Sequence, residues 1–145
     1  MRWPAYLLAY ETHDARQIYS SSVSAMTVLR KKVLVVEDLQ DARDALGMIL
    51  EEKGYAVTKA ASGIDAIDKL IDDPSITILF TDIGLPNGLS GFQLARAVAE
   101  WHPDLRIVLG TGYNLDHVRE MAGYDASFPI LKKPYELKSL LEALR

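Results

Sequence analysis

From Lys32 to Arg145 the chain repeats one pattern five times: a short apolar run, then a stretch whose apolar residues recur at helical spacing. The first run, KVLVVED, is continuous and rich in β-branched residues, the mark of a strand buried on both faces. YAVTKA, ITILFTD, LRIVLGT and ASFPILK are the other four. Between them, Ala42, Ala45, Leu46, Ile49 and Leu50 fall on one side of a helix that Gly54 is placed to end. Ile64, Ile67, Leu70 and Ile71 mark a second helix, stopped at Pro74. A third starts near Gly91, carries Phe92, Ala95, Val98 and Ala99, and stops before Pro103. A weaker helix runs from Asn114 to Ala122, and ELKSLLEALR is the last. Parallel strands need crossover connections, so strict alternation of strand and helix predicts an α/β fold with a parallel sheet and helices on both faces. In such sheets ligands bind beyond the carboxyl ends of the strands, at the point where strand order reverses. With the flavodoxin-like order 2-1-3-4-5, that point lies between the first and third strands.

The residues at those strand ends are polar. The first strand ends in Glu37-Asp38, the third in Asp82, the fourth in Thr111, and the fifth in Lys132-Lys133 before Pro134. Taken singly, each has a plain explanation. Glu37-Asp38 can solvate a strand end or help cap the next helix, Asp82 can start a turn toward Pro86, and the lysines can be a solvated face. Their coincidence at one edge of one sheet argues for a site. Three crowded carboxylates repel, and a hard divalent cation such as Mg²⁺ relieves the conflict with oxygen ligands. Asp82 is then placed to act as a nucleophile on phosphorus, with Thr111 and Lys133 to hold the phosphoryl oxygens.

Composition narrows the alternatives. A net charge of −4 gives no electrostatic reason for nucleic-acid binding. No stretch approaches the roughly 20 apolar residues that span a bilayer. The absence of cysteine excludes disulfides, thiolate metal sites and cysteine nucleophiles, and a cytoplasmic location is expected. His13, His102 and His117 lie far apart and not at metal-ligand spacing. Residues 1–30 differ from the rest and read as an extension, partly helical around Pro4 to Tyr10, without the basic start of a secretory signal. Met26 opens MTVLRKKVLVVED, which itself reads as the start of a domain.

From Lys31 to Arg145 the chain resembles the receiver domain of two-component response regulators. The resemblance rests on VLVVEDLQDAR, ILFTDIGLPNGLSGFQLA, IVLGTGY and ILKKPYELKSLLEAL, weak singly but specific in this order and spacing. It implies a receiver domain over 31–145, Asp82 as phosphoacceptor, and Glu37 and Asp38 as an acidic Mg²⁺ pocket completed by the backbone carbonyl of Gly84. It further implies Thr111 as switch hydroxyl, Lys133 as phosphate partner and a cis peptide before Pro134. Expected partners are a histidine kinase or a histidine phosphotransfer protein, with no direct nucleic-acid or membrane contact. The chain departs from the pattern in two respects. Many receivers place an aromatic residue three positions before the lysine, where this chain has Ile130, while Tyr113 follows the threonine in a Thr-Gly-Tyr sequence resembling that of stand-alone or hybrid-kinase receivers. Tyr113, Ile130 and Tyr135 are therefore the expected switch and output surface.

Other functions fit less well. An aspartyl-phosphate phosphatase of the haloacid-dehalogenase type needs an acid two residues after the nucleophile, where Gly84 stands. A flavin or nucleotide domain needs a glycine-rich phosphate loop after the first strand, where EDLQDAR is acidic. A degenerate receiver would lack part of the acidic or basic set, which is complete here. The expected role is a signalling receiver that catalyses only its own phosphorylation and dephosphorylation, either stand-alone or excised from a hybrid kinase.

Overall fold

A computed structural model describes residues 30–145, so the helix expected around Pro4 to Tyr10 lies outside the described residues. Among the described residues five strands, β1 (Lys32–Val36), β2 (Ala56–Ala60), β3 (Ile78–Asp82), β4 (Arg106–Thr111) and β5 (Ile130–Lys132), alternate with five helices. These are α1 (Gln40–Glu52), α2 (Gly63–Asp72), α3 (Gly91–Trp101), α4 (Leu115–Arg119) and α5 (Leu137–Leu144). All neighbouring strands pair in parallel, in the order β2-β1-β3-β4-β5, as the alternation predicted.

Side chains of a strand alternate between faces, and the core divides accordingly. Leu34, Val36, Leu79 and Leu109 pack with α2, α3 and Val118 of α4 on one face. Val33, Val35, Phe80 and Val108 pack with Leu50 of α1 and Leu140 and Leu144 of α5 on the other. Local signals set the helix ends. Gly54, at φ +95°, closes α1 as expected: its N–H and that of Tyr55 bond back to Glu51 and Leu50. Ser62 caps α2 by accepting from the N–H of Asp65, and Ser90 forms a capping box with Gln93 at the start of α3.

Four expectations change. Ile64 and Ile71 do not face the sheet: they are 59% and 62% exposed, and Gly63, Ala66 and Leu70 are buried instead. On the buried side Gly63 lies under Leu89, whose Cβ would stand 2.8 Å from a Cβ there. On α1 only Leu50 of the expected stripe is fully buried, and Ala42, Ala45 and Ile49 are exposed beside α5. The fourth helix is shorter than expected, ending at Arg119; Met121 and Tyr124 reach the core from turns instead. The fifth strand begins at Ile130 rather than Ala126. Pro129 has no N–H to give the ladder, though its carbonyl accepts from Leu109, and Ser127 is folded back onto Asp125.

Candidate functional site

The register brings the acidic strand ends together. β1 and β3 are adjacent, so Glu37 and Asp38, just past β1, stand beside Asp82 at the end of β3. One carboxylate oxygen from each of the three lies within 4.8 Å of the others. The pocket is graded in burial: Glu37 is buried, Asp82 half-buried and Asp38 exposed. Three hard oxygen donors with one side open to water match what Mg²⁺ requires, so the residues fit that ion.

Lys133 arrives from the opposite side of the sheet. It follows β5, is joined to Pro134 by a cis peptide as expected, and donates its backbone N–H to the carbonyl of Thr111 at 2.7 Å. Its ammonium donates to Asp82 Oδ2 at 2.8 Å and to Glu37 Oε1 at 2.9 Å. The other oxygen of Asp82, Oδ1, accepts from the N–H of Gly84 at 3.2 Å. Burial raises the pKa of Glu37; its bond with Lys133 pulls it down again, and Asp82 pushes it up. For Lys133, burial works against the charge, but the hydrogen bonds to Asp82 and Glu37 outweigh it and hold the ammonium above the ordinary lysine value. The lysine is therefore charged and held between Asp82, which is half-buried, and the buried Glu37.

Thr111 is fully buried at the end of β4, next to Gly110, the register partner of Asp82. Its hydroxyl accepts from the N–H of Tyr113 at 3.0 Å, and Lys132 donates to the carbonyl of Gly112 at 3.0 Å. The Thr-Gly-Tyr loop is thereby tied both to the threonine and to β5. Tyr113 is 51% exposed, with its ring 5.4 Å from that of His117. Ile130 packs into the core face of α2, α3 and α4, whereas Tyr135 packs into the opposite core, 5.1 Å from the ring of Phe80. Both also line a groove along β5, with Lys132, Lys133 and Pro134 between them. Burial raises the Tyr135 phenol above its ordinary pKa.

Beside Asp82 and Lys133 lies a groove of about 320 Å³ lined by Ala42, Leu46, Ile49 and Leu137. Of these, Ala42 and Ile49 are exposed residues of α1, Leu46 is partly buried against the core, and Leu137 opens α5. Two further residues shape the site: Arg43, which no sequence pattern singles out, and Gly91, expected only as the start of a helix. Arg43 donates to the carbonyls of Glu37 and Asp38, and its only sequence signal is a cation near a helix start, where the dipole disfavours one. Gly91 begins α3 directly behind Asp82. A Cβ there would collide with the Asp82 carbonyl and stand 2.7 Å from Ile83 Cα. Gly91→Ala is expected to cost about 2–3 kcal/mol, since the obstacle is backbone rather than a movable side chain. Gly112→Ala, with no atom within 4 Å, is the control and should change little. Urea midpoints of the two variants check this; equal stabilities would contradict it.

Comparison with known proteins points one way. Residues 33–145 match the family model described as the response regulator receiver domain. The chain is 33% identical to the response regulator receiver protein CpdR of Brucella abortus over 79% of this chain and 93% of that protein. It is 32% identical to the sensor kinase CckA of the same organism, matching 78% of this chain but only 12% of the kinase. Among solved structures, the response regulator TrrA of Thermotoga maritima, crystallised in complex with Mg²⁺-BeF, superposes with a TM-score of 0.68 at 29% identity, covering 77% of this chain and 94% of that one.

Proposed function

The chain belongs to the response regulator receiver domain family, and from that premise we propose that it is a signalling switch that accepts a phosphoryl group on Asp82 from a phosphohistidine. The observation that carries this reading is the bridge from Lys133 to both Asp82 and Glu37, at 2.8 and 2.9 Å, across a cluster of three carboxylates. An oxygen lone pair of Asp82 attacks phosphorus; the phosphorus–nitrogen bond of the donor breaks, and its electron pair returns to the imidazole. The product is an acyl phosphate on Asp82. Glu37, Asp38 and Asp82, with the carbonyl of Gly84, would hold Mg²⁺, which when bound offsets charge on the transferring group. Lys133 supplies a fixed positive charge to the phosphoryl oxygens, and Thr111 a hydroxyl donor. The chain acts on itself rather than turning over a small substrate.

The apolar groove beside Asp82 suits the docking of a helix that presents the phosphohistidine, because its floor is aliphatic and its rim carries the reactive groups. Similarity to a stretch of a sensor kinase favours a second reading, in which the chain relays the phosphoryl group onward to another histidine. Return of label from the chain to a histidine phosphotransfer protein separates relay from terminal switch.

The direct test is incubation with acetyl phosphate and intact-mass measurement. A gain of one phosphoryl group in the presence of Mg²⁺, and none with chelator, is expected. Labelling that ignores the metal would reject the reading. Tyr113 is the proposed reporter, since its own N–H is bonded to the threonine that must answer the phosphoryl group. Tyr113→Ala should blunt the change in amide exchange of residues 112–119 on phosphorylation; an unaltered response would remove Tyr113 from the switch.

A further inference from the structure

Arg43 stands at the fourth position of α1, where the positive end of the helix dipole makes a cation unfavourable. Side chains on a helix lean toward its N-terminus, and that of Arg43 reaches back over the first turn. One guanidinium nitrogen donates to the carbonyl of Glu37 at 2.8 Å and, more weakly, to that of Asp38 at 3.3 Å. These carbonyls belong to the two peptide planes that flank Asp38. Backbone bonds anchor the ends of this connection, from the N–H of Glu37 to the carbonyl of Ala60 at 3.1 Å and from the N–H of Arg43 to that of Leu39 at 2.9 Å, but little else holds the planes around Asp38. Leu39 occupies the N-cap of α1 with no side-chain hydrogen bond, and the N–H of Asp38 bonds only to the neighbouring Glu37 carboxylate at 3.1 Å. By contrast, Ser62, Ser90 and Asn114 all cap their helices.

We infer that Arg43 is a positioning residue for the acidic pocket: by fixing the peptide planes on either side of Asp38, it sets the direction in which the Glu37 and Asp38 carboxylates project and so strengthens divalent-cation binding. The inference rests on the reading that this pocket takes Mg²⁺. Charge alone gives the opposite sign, because a nearby guanidinium repels an incoming cation, and its removal would tighten binding. The direction of the change therefore distinguishes geometry from charge.

The test is calorimetric titration of the full chain with Mg²⁺ at fixed ionic strength, for the parent, Arg43→Met and Arg43→Lys. Amide exchange at Asp38 and Leu39 is followed without metal. Arg43→Met keeps the stem and loses the donors; it should bind Mg²⁺ roughly 10-fold more weakly, the scale for removing a group that orients a metal ligand. Its two loop amides should exchange faster. Arg43→Lys keeps one donor and should recover most of the affinity, which a role in general folding would not give. Far-ultraviolet circular dichroism establishes that each variant is folded; if Arg43→Met is not, Arg43→Lys against the parent and the exchange rates decide. Unchanged or tighter Mg²⁺ binding by Arg43→Met overturns the inference, as does an Arg43→Lys variant no better than Arg43→Met. A parent that binds Mg²⁺ but ignores Arg43 removes this inference alone, whereas a parent that binds none removes the premise as well.

Discussion

Asp82→Asn is expected to abolish metal-dependent phosphoryl uptake while leaving the protein folded. The amide has nearly the shape of the carboxylate and keeps one oxygen to accept from the N–H of Gly84, a bond of 3.2 Å in the parent. What it lacks is the anionic lone pair that attacks phosphorus, and no neighbour supplies one in the same place. Asp38 is exposed, and Glu37 is buried with one oxygen bonded to Lys133 and the other to the N–H of Asp38. Stability should change by no more than about 1 kcal/mol, because the loss of an ion pair is offset by less crowding of negative charge. Intact mass after incubation with acetyl phosphate and Mg²⁺, together with a urea midpoint, reads both effects. A variant that labels to the parent's extent would place the nucleophile elsewhere.

Lys133→Ala should act on two levels at once. The ammonium is the cation between two carboxylates whose side chains are 6% and 15% exposed, while its own is 31% exposed. Removing one member of a buried ion pair costs about 3–5 kcal/mol, and the partial exposure of the lysine discounts this to about 1–3 kcal/mol. The deficit should be recoverable with Mg²⁺, which offers the abandoned carboxylates another partner, so that Mg²⁺ stabilises the variant more than the parent. It should also depend on pH in a definite sense. The folded-state pKa of Glu37 is already raised, and losing Lys133 removes a bond that lowers it. Between its ordinary and its raised value the folded state holds more protons than the unfolded one, so stability falls as pH rises through that window. Without the lysine to stabilise the transferring phosphoryl group, the rate of labelling should drop by about 100-fold or more. Urea melts with and without Mg²⁺ at two pH values, and a labelling time course, test these outcomes. A variant as stable and as quickly labelled as the parent would make Lys133 a bystander.

Glu37, Asp38, Asp82, Thr111 and Lys133 were legible in the sequence because each sits where an apolar run stops. In a parallel sheet every strand ends on the same side, so one-dimensional position becomes a shared location. The placement of Ile64 and Ile71 was not legible, because helical spacing fixes which residues share a face but not how far the helix rolls. The roll observed puts Gly63 against Leu89, a contact more than twenty residues along the chain that helical spacing does not reveal. The seat of the Tyr135 ring was not legible either: it lies over Gly110, where the absence of a Cβ leaves room beside Phe80. Arg43 gave almost no signal, since its partners are backbone carbonyls, which every residue carries. The fifth strand was overestimated because Pro129 continues the apolar pattern while withholding the N–H that the ladder needs.

Asp82 is proposed to carry the phosphoryl group, beside an acidic pocket shared by β1 and β3. Borohydride reduction of the Mg²⁺-labelled chain converts an acyl phosphate to an alcohol and leaves ordinary carboxylates untouched. Peptide sequencing then reads the position directly. The modified residue is expected at position 82 and nowhere else; reduction at Glu37, at Asp38 or at any more distant carboxylate would contradict the account.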